Sequence, residues 1–183
     1  MKVYMHLAEG FEEIEALTVV DVLRRAEIEI ETVSVTGNKE VKGAHHIKVR
    51  TDMLFEEAEY DKCDMMVLPG GMPGTVNLER HKELCEHIKE FNDKGKWIAA
   101  ICAAPKILGN LGILSEKPAT CYPGFEGELK GAIIKDEPVV QAGRIITSKG
   151  PGTAIAFSLK LVEVLKERKI AEKISEEMMV SNC

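Results

Sequence analysis

The sequence predicts an α/β protein in which helices cover both faces of a mostly parallel sheet. Short apolar segments typical of buried strands alternate along the chain with longer segments of helical periodicity. The chain has 183 residues, 45% of them hydrophobic, which is enough for one sizeable core and short for two. We therefore expect a single domain over residues 1–183.

The first elements predict a βαβ unit. Residues 2–8 form a short apolar run, residues 11–26 carry a wide apolar helical stripe, and residues 27–35 alternate with period two. The next stretch, residues 36–62, is polar and less regular. We expect only short edge strands there, such as residues 46–52.

The alternation of strands and helices resumes at residue 65. Residues 65–69 and 97–101 predict buried strands, and residues 82–95 between them predict an amphipathic helix that ends at a glycine. Pro105 fits the first turn of the next helix, where its missing N–H costs nothing. Residues 119–152 are rich in strand and turn signals.

Two helices complete the predicted fold. Residues 153–169 predict a long helix, and residues 170–178 a last short one. Strands that alternate with helices of this length favour a parallel sheet. Because ligands of such sheets bind at the carboxyl ends of the strands, functional residues are expected at that edge.

Composition argues against several classes of partner. The net charge is −6, the pI is near 5.5, and basic residues are interspersed with acidic ones, so nucleic acid is not an expected partner. The apolar run at the N-terminus is too short for a signal peptide or a membrane span. We therefore expect a cytoplasmic protein without a membrane partner.

The cysteines and histidines do not predict a metal or a cofactor. Five cysteines are widely spaced and form no C-x-x-C pair: Cys63, Cys85, Cys102, Cys121 and Cys183. We expect them to be free thiols. His45 and His46 are adjacent, and His81 and His87 are six apart on a predicted helix, so neither pair forms a helical metal face.

Three predicted strand ends point to one edge of the sheet. They are Glu9 with Gly10, the segment PGGMPG that begins at Pro69, and Cys102. The glycine-rich segment has neither the phosphate-loop ending nor the spacing of a dinucleotide site. Its glycines allow bare backbone amides to approach a ligand or an oxyanion closely, although a turn that only needs positive φ is the alternative.

Cys102 has the sequence context of a nucleophile elbow. Ala100 and Ala104 flank it with small side chains, which a sharp strand-to-helix turn requires. At a helix N-terminus the free amides and the dipole favour the thiolate, so we expect a lowered pKa. The alternative is a small core residue.

Glu15 is the candidate acid–base group. It lies one turn into the first helix on the same stripe as three apolar residues: Val19, Val22 and Ala26. A carboxylate there is costly unless it is protonated or hydrogen-bonded. The alternative is an exposed first turn, where acids are favoured, and we assign Glu12 and Glu13 to that class.

Four motifs, EGFEEIEAL, MVLPGGMPG, IAAICAAP and TSKGPGTA, together resemble the ThiJ/PfpI superfamily, most closely its DJ-1 branch of parkinsonism-associated protein deglycases. The resemblance covers essentially the whole chain. It implies a flavodoxin-like three-layer sandwich with a core like that of class I glutamine amidotransferases, and usually a homodimer.

The resemblance also implies roles for individual residues. Cys102 matches the reactive cysteine of the family, and Glu15 matches its protonated partner. Gly70, Gly71 and the amide of Ala103 fall where the family forms its anion or oxyanion pocket.

Two positions depart from the family pattern. Tyr122 stands where DJ-1 and several relatives have a pocket histidine, and His45 stands where DJ-1 has an arginine. A cysteine hydrolase needs an imidazole to relay the proton, so this change disfavours the protease or amidase activity of PfpI-like relatives. Tyr122 remains a candidate hydrogen-bond donor in the pocket, and His45 a candidate contribution from a dimer mate.

The resulting hypothesis is a glyoxalase or deglycase with no cofactor. Cys102 would attack methylglyoxal, a related oxoaldehyde or a glycated substrate, and Glu15 would move the proton. The alternative is an oxidative-stress sensor or chaperone that is switched when Cys102 is oxidised to a sulfinate.

Overall fold

A computed structural model of the chain describes residues 1–180. The strands and α-helices, numbered in chain order, are β1 (Lys2–Leu7), α1 (Glu13–Arg25), β2 (Glu29–Ser34), β3 (Glu40–Lys42), β4 (Lys48–Arg50), β5 (Met53–Leu54), β6 (Met65–Leu68), α2 (Gly74–Arg80), α3 (Lys82–Asp93), β7 (Trp97–Ile101), α4 (Pro105–Asn110), β8 (Pro118–Ala119), β9 (Ile133–Ile134), β10 (Val139–Ala142), β11 (Ile145–Ser148), α5 (Ala154–Leu165) and α6 (Arg168–Glu177).

The central sheet has seven strands in the order β10-β11-β7-β6-β1-β2-β5. Neighbouring strands are parallel throughout except for β10, which runs antiparallel to β11. The register pairs Leu68 with Ala100 and Ile101 with Ser148, so β6, β7 and β11 end at one edge. This confirms the predicted α/β fold and brings the predicted strand ends together.

Two apolar layers sandwich the sheet. The first contains α1, α5 and α6, and the second contains α2, α3 and α4. Along β7, Ala99 and Ile101 pack on the first face, while Ile98 and Ala100 pack on the second. Burial on both faces explains why the central strands are continuously apolar in sequence.

Local structure differs from the prediction in three places. Residues 46–52 contain β4, which pairs with β3 in a separate hairpin, and the short strand that lies beside β2 at one edge of the main sheet is β5. The predicted helix 153–169 ends at Leu165, and α6 begins at Arg168, because the chain turns back so that α6 packs on α5. The α2 helix was not predicted, since its short segment has little apolar periodicity.

The four cysteines within the described residues are free thiols, as predicted, whereas Cys183 lies outside these residues. None of the helices in residues 1–180 is long and apolar enough to cross a membrane.

Candidate active site

Cys102 lies immediately after β7 in a left-handed backbone conformation, with φ of 67°. Such a conformation is strained for a residue with a side chain and is kept only where the surroundings fix it. Two backbone hydrogen bonds do so here. The N–H of Cys102 donates to the carbonyl of Ser148 at 2.9 Å, and the N–H of Tyr122 donates to the carbonyl of Cys102 at 2.8 Å. The geometry is that of a nucleophile elbow.

Glu15 lies on α1 with its side chain completely buried beside Cys102. Its Oε2 accepts a hydrogen bond of 2.7 Å from the N–H of Gly70. Its Oε1 is also buried and has no well-formed hydrogen bond within residues 1–180. Burial raises the pKa of Glu15 to about 7, opposed by hydrogen bonding to Cys102 and Gly70. A protonated Oε1 is therefore available to the thiol.

The pKa of Cys102 is raised, contrary to the prediction from the helix N-terminus. Burial is the largest cause, and the charge of Glu15 adds to it. The N–H groups of Ala103 and Gly71 hydrogen-bond to the sulfur and oppose the shift. The dipole contributes little because α4 begins only at Pro105 and is six residues long.

The backbone of the glycine-rich segment lies against the side chains of Cys102 and Glu15. A Cβ on Gly70 would lie 2.6 Å from the Cβ of Cys102 and 2.8 Å from Oε2 of Glu15. Gly71 has φ of 90° and packs on the backbone of the loop before α1. The N–H of Gly71 faces the sulfur, whereas the N–H of Gly70 is engaged by Oε2 of Glu15. That these amides form an anion or oxyanion pocket stays a prediction.

Glu12 and Glu13 are buried, which corrects their assignment to an exposed first turn. Glu12 caps α1 by accepting the N–H of Glu15 at 2.8 Å. Glu13 accepts three hydrogen bonds from the β3–β4 loop: from the N–H and Nδ1 of His45, both at 2.8 Å, and from the N–H of Ile47 at 3.3 Å. The Glu13 carboxylate thus anchors the β3–β4 loop to α1.

His45 therefore has an intrachain partner. Its side chain is 68% exposed, and bonding to Glu13 raises its pKa. Ligand atoms of His45, Glu12 and Glu13 lie within 4.8 Å of one another, a spacing that could hold a metal ion. Because the Glu13 carboxylate is already occupied by hydrogen bonds, we interpret the cluster as a structural anchor. Whether His45 approaches a dimer mate stays a prediction.

Tyr122 lies at the mouth of the site and is 46% exposed. No hydrogen bond of its hydroxyl is found within residues 1–180. Its ring packs over Gly150, where a Cβ would lie 3.1 Å from Cδ2. Gly150 belongs to the motif TSKGPGTA, but its closeness to the sulfur of Cys102 was not predicted, because a glycine in a sequence does not show which distant residues pack on it.

Comparison with known proteins gives matches over nearly the whole chain. The model of the DJ-1/PfpI family matches residues 1–164. Protein dj-1beta of Drosophila melanogaster is 34% identical over 177 residues, covering 96% of this chain and 95% of that protein. The glutathione-independent glyoxalase DJ-1 of Schizosaccharomyces pombe is 35% identical over 173 residues, covering 89% of this chain and 90% of that protein. The solved structure of oxidized Toxoplasma gondii DJ-1 has a TM-score of 0.93 at 36% identity and covers 97% of each chain.

Proposed function

The chain belongs to the DJ-1/PfpI family, and we propose that it is a cysteine-dependent glyoxalase that converts methylglyoxal and related 2-oxoaldehydes to 2-hydroxy acids. The observation that carries this proposal is the buried carboxyl of Glu15 beside Cys102, with a pKa of about 7 and one oxygen that, within residues 1–180, has no partner other than Cys102. A group with this pKa can both donate and accept a proton at neutral pH. The name of the fission-yeast relative supports the same reaction class.

The first step is attack of the Cys102 thiolate on the aldehyde carbon. A carbon–sulfur bond forms, the aldehyde π-bond pair moves to oxygen, and Glu15 protonates that oxygen to give a hemithioacetal. Hydrogen bonds from Gly71 and Ala103 stabilise the thiolate before attack and lie next to the developing negative charge.

The second step moves hydrogen between the two neighbouring carbons. The Glu15 carboxylate takes the proton from the sulfur-bearing carbon, which gives an enediol, and returns a proton to the adjacent carbon. The hydroxyl proton of the first carbon passes to the oxygen of the second. The first carbon is thereby oxidised to a thioester and the second is reduced to an alcohol, so no external oxidant is needed.

Water then hydrolyses the thioester, with Glu15 as the general base, and releases the 2-hydroxy acid and the thiol. The sum is one oxoaldehyde plus one water giving one hydroxy acid. The same thiol addition on a glycated protein or nucleotide would constitute the deglycase reaction. Cys102 is only 8% exposed, which favours small free aldehydes over such adducts.

The test is conversion of methylglyoxal to lactate, with the lactate enantiomers separated to exclude uncatalysed chemistry. We expect turnover that disappears in Cys102→Ser and falls at least about a hundredfold in Glu15→Gln, which cannot transfer protons. Cys85→Ser, at a half-buried thiol on α3, is the matched control and should retain full activity. Methylglyoxal consumption that survives Cys102→Ser would overturn the proposal.

Tyr122→Phe should change the rate by less than about tenfold, because aldehyde addition expels no amine that a phenol would have to protonate. For the same reason we expect negligible cleavage of peptides or amides. Within residues 1–180, the groups that shift the pKa of Cys102 are Glu15, Ala103 and Gly71, and none of these is an imidazole.

The same pocket supports a second function, sensing of oxidants. A sulfinate on Cys102 could accept a hydrogen bond from protonated Glu15, whose Oε1 has no other well-formed hydrogen bond among residues 1–180. A related structure is described as oxidized, although that description does not name the residue. Mild peroxide followed by intact-mass analysis tests this function. A protein that gains two oxygen atoms at Cys102 but turns over no aldehyde would favour the sensor.

We also propose that the chain forms a homodimer, as its resemblance to the family implies. Sedimentation analysis of the purified chain tests it directly.

A further inference from the structure

The free cysteines of residues 1–180 divide between the two faces of the central sheet. Cys102 packs with the apolar layer of α1, α5 and α6. Cys63 and Cys121 belong to the layer on the other face, and Cys85 packs against that layer. A disulfide requires two cysteines whose Cβ atoms lie about 4 Å apart and point toward each other. None of the other described thiols is therefore placed to form an intrachain disulfide with Cys102.

A backbone amide lies beside the Cys102 sulfur instead. The N–H of Ala103 hydrogen-bonds to the sulfur and has no backbone acceptor within residues 1–180. The left-handed conformation of Cys102, fixed by its hydrogen bonds to Ser148 and Tyr122, keeps this amide in place. A sulfur–nitrogen bond would close a small ring made of Sγ, Cβ, Cα and C of Cys102 and N of Ala103. Because the reacting atoms are already held together, the reaction is intramolecular and favoured.

The peptide group between Cys102 and Ala103 is also polarised. Its carbonyl oxygen accepts the N–H of Tyr122 at 2.8 Å, while its own N–H faces the sulfur. Hydrogen bonds in such a chain polarise one another, so the bond from Tyr122 makes the Ala103 N–H easier to deprotonate. The nitrogen can therefore lose its proton more readily as it attacks the sulfur.

Glu15 can supply the proton that a hydroxyl departing from the sulfur needs. Its side chain is completely buried beside Cys102, and Oε1 has no other well-formed hydrogen bond among residues 1–180. Burial raises the pKa of Glu15 to about 7, so the protonated form is present at neutral pH. A carboxyl group in this position is suited to protonate an oxygen atom bound to the sulfur.

We propose that hydrogen peroxide converts Cys102 to a cyclic sulfenamide with the amide nitrogen of Ala103, which protects the nucleophile from irreversible oxidation. First, the thiolate attacks a peroxide oxygen and the O–O bond breaks, so that the sulfur becomes a sulfenic acid and the peroxide is reduced to water. The Ala103 nitrogen then attacks the sulfur and the S–O bond breaks. The hydroxyl leaves as water with the proton of Glu15, the amide proton passes to solvent, and no second oxidant is consumed.

Two thiol molecules reverse the modification. The first attacks the sulfur, which breaks the sulfur–nitrogen bond, restores the N–H of Ala103 and leaves a mixed disulfide. The second releases the Cys102 thiol and forms the disulfide of the reductant, whereas a sulfinate is not reduced by thiols. While the ring persists, Cys102 cannot attack an aldehyde. The sulfenamide requires only that Cys102 reacts with peroxide, so it does not rest on the glyoxalase proposal.

Treatment with limited hydrogen peroxide, followed by tryptic peptide mapping without added thiol, tests the proposal. Residues 97–106 form one tryptic peptide, in which Cys102 is the only cysteine. A sulfenamide makes this peptide about 2 Da lighter than the thiol form, a sulfenic acid about 16 Da heavier and a sulfinate about 32 Da heavier. We expect the lighter peptide to be the main product at low peroxide, and dithiothreitol to return it to the thiol form.

Three variants identify the atoms involved. Glu15→Gln has no acidic proton to give, so the ratio of the lighter peptide to dimedone-trapped sulfenic acid should fall at least about tenfold. Ala103→Pro lacks the N–H and should give no lighter peptide. Because proline also restricts the backbone of Cys102, thermal unfolding must show that this variant is folded, and Glu15→Gln decides if it is not. Cys121→Ser is the matched control and should behave as wild type.

Two results would overturn the sulfenamide: a Cys102 peptide that passes only to heavier products, or a lighter product that is lost in Cys121→Ser. Methylglyoxal turnover in the same samples keeps the proposals apart. If turnover depends on Cys102 but peroxide gives only the sulfinate, the sulfenamide is wrong and the glyoxalase proposal stands. If the lighter peptide forms and dithiothreitol reverses it but no aldehyde is turned over, the sulfenamide stands and the glyoxalase proposal fails.

Discussion

Replacing Glu15 by glutamine should remove a pH-dependent loss of stability from the protein. The wild-type side chain is completely buried, with Oε2 bonded to the N–H of Gly70. Glutamine keeps an oxygen for that bond and is nearly the same size, so the substitution removes the titration while preserving the packing. Its remaining N–H group can face the sulfur of Cys102.

The magnitude follows from the pKa of Glu15, which burial raises from 4.5 to about 7. Between these values the native state retains a proton that the unfolded state has already lost. The free energy of unfolding therefore falls as the pH rises through this window. The full difference corresponds to about 3 kcal/mol, absent below pH 4.5 and complete above pH 7.

Urea unfolding at several pH values between 4.5 and 8 measures this effect. All other titrating groups are common to both proteins, so the difference in unfolding free energy between Glu15→Gln and wild type isolates Glu15. We expect Glu15→Gln to gain stability relative to wild type as the pH rises to 7. Glu83→Gln, at an exposed site on α3, is the control and should show no such trend.

A difference that does not change with pH, or one that changes in the opposite direction, would refute the reasoning. Cys102→Ser adds a further check. Because burial is the largest cause of the raised pKa, most of the pH dependence should persist when the thiol is replaced by a hydroxyl.

Three further substitutions test the close approach of Gly70 to Cys102 and the attachment of the β3–β4 loop to Glu13. Gly70→Ala should abolish aldehyde turnover and lower the free energy of unfolding by about 1–3 kcal/mol, because the new Cβ would lie 2.6 Å from the Cβ of Cys102. A variant with wild-type stability and activity would contradict this close approach. Glu13→Ala should lower the free energy of unfolding, measured in urea, by about 1–3 kcal/mol, because the N–H groups of the β3–β4 loop lose their acceptor. The loop should then become sensitive to proteolysis. His45→Ala removes only the exposed partner and should leave the loop protected; equal proteolysis of the two variants would refute the anchor.

The fold and the central pair of the site were predictable because the relevant signals are local or topological. Apolar segments of strand length alternate with helical stripes, and parallel strands place their carboxyl ends at one edge. That rule alone places Cys102 at the same edge of the sheet as Gly70 and Gly71. The charge of Glu15 on an apolar stripe gave a second, independent signal.

The remaining features depend on contacts between distant segments. Nothing in the sequence near Glu13 shows that residues 43–47 fold over it, so its burial was not predicted. The break between α5 and α6 has a similar origin. The apolar pattern continues across it, but the chain turns so that Ala171 and Ile174 reach the core.

Because the pKa of Cys102 is raised, its reactivity cannot come from the helix dipole alone. A lone thiol at a helix N-terminus would be a thiolate because of the dipole, but here burial and the neighbouring carboxyl oppose ionisation. Two negative charges in this buried space are unfavourable, so above about pH 7 the pair of Cys102 and Glu15 still holds one proton. When that proton lies on Glu15, the sulfur is a nucleophile and the carboxyl is the acid that the new oxyanion requires. The same proton therefore prepares both groups, and their reactivity is a property of the pair.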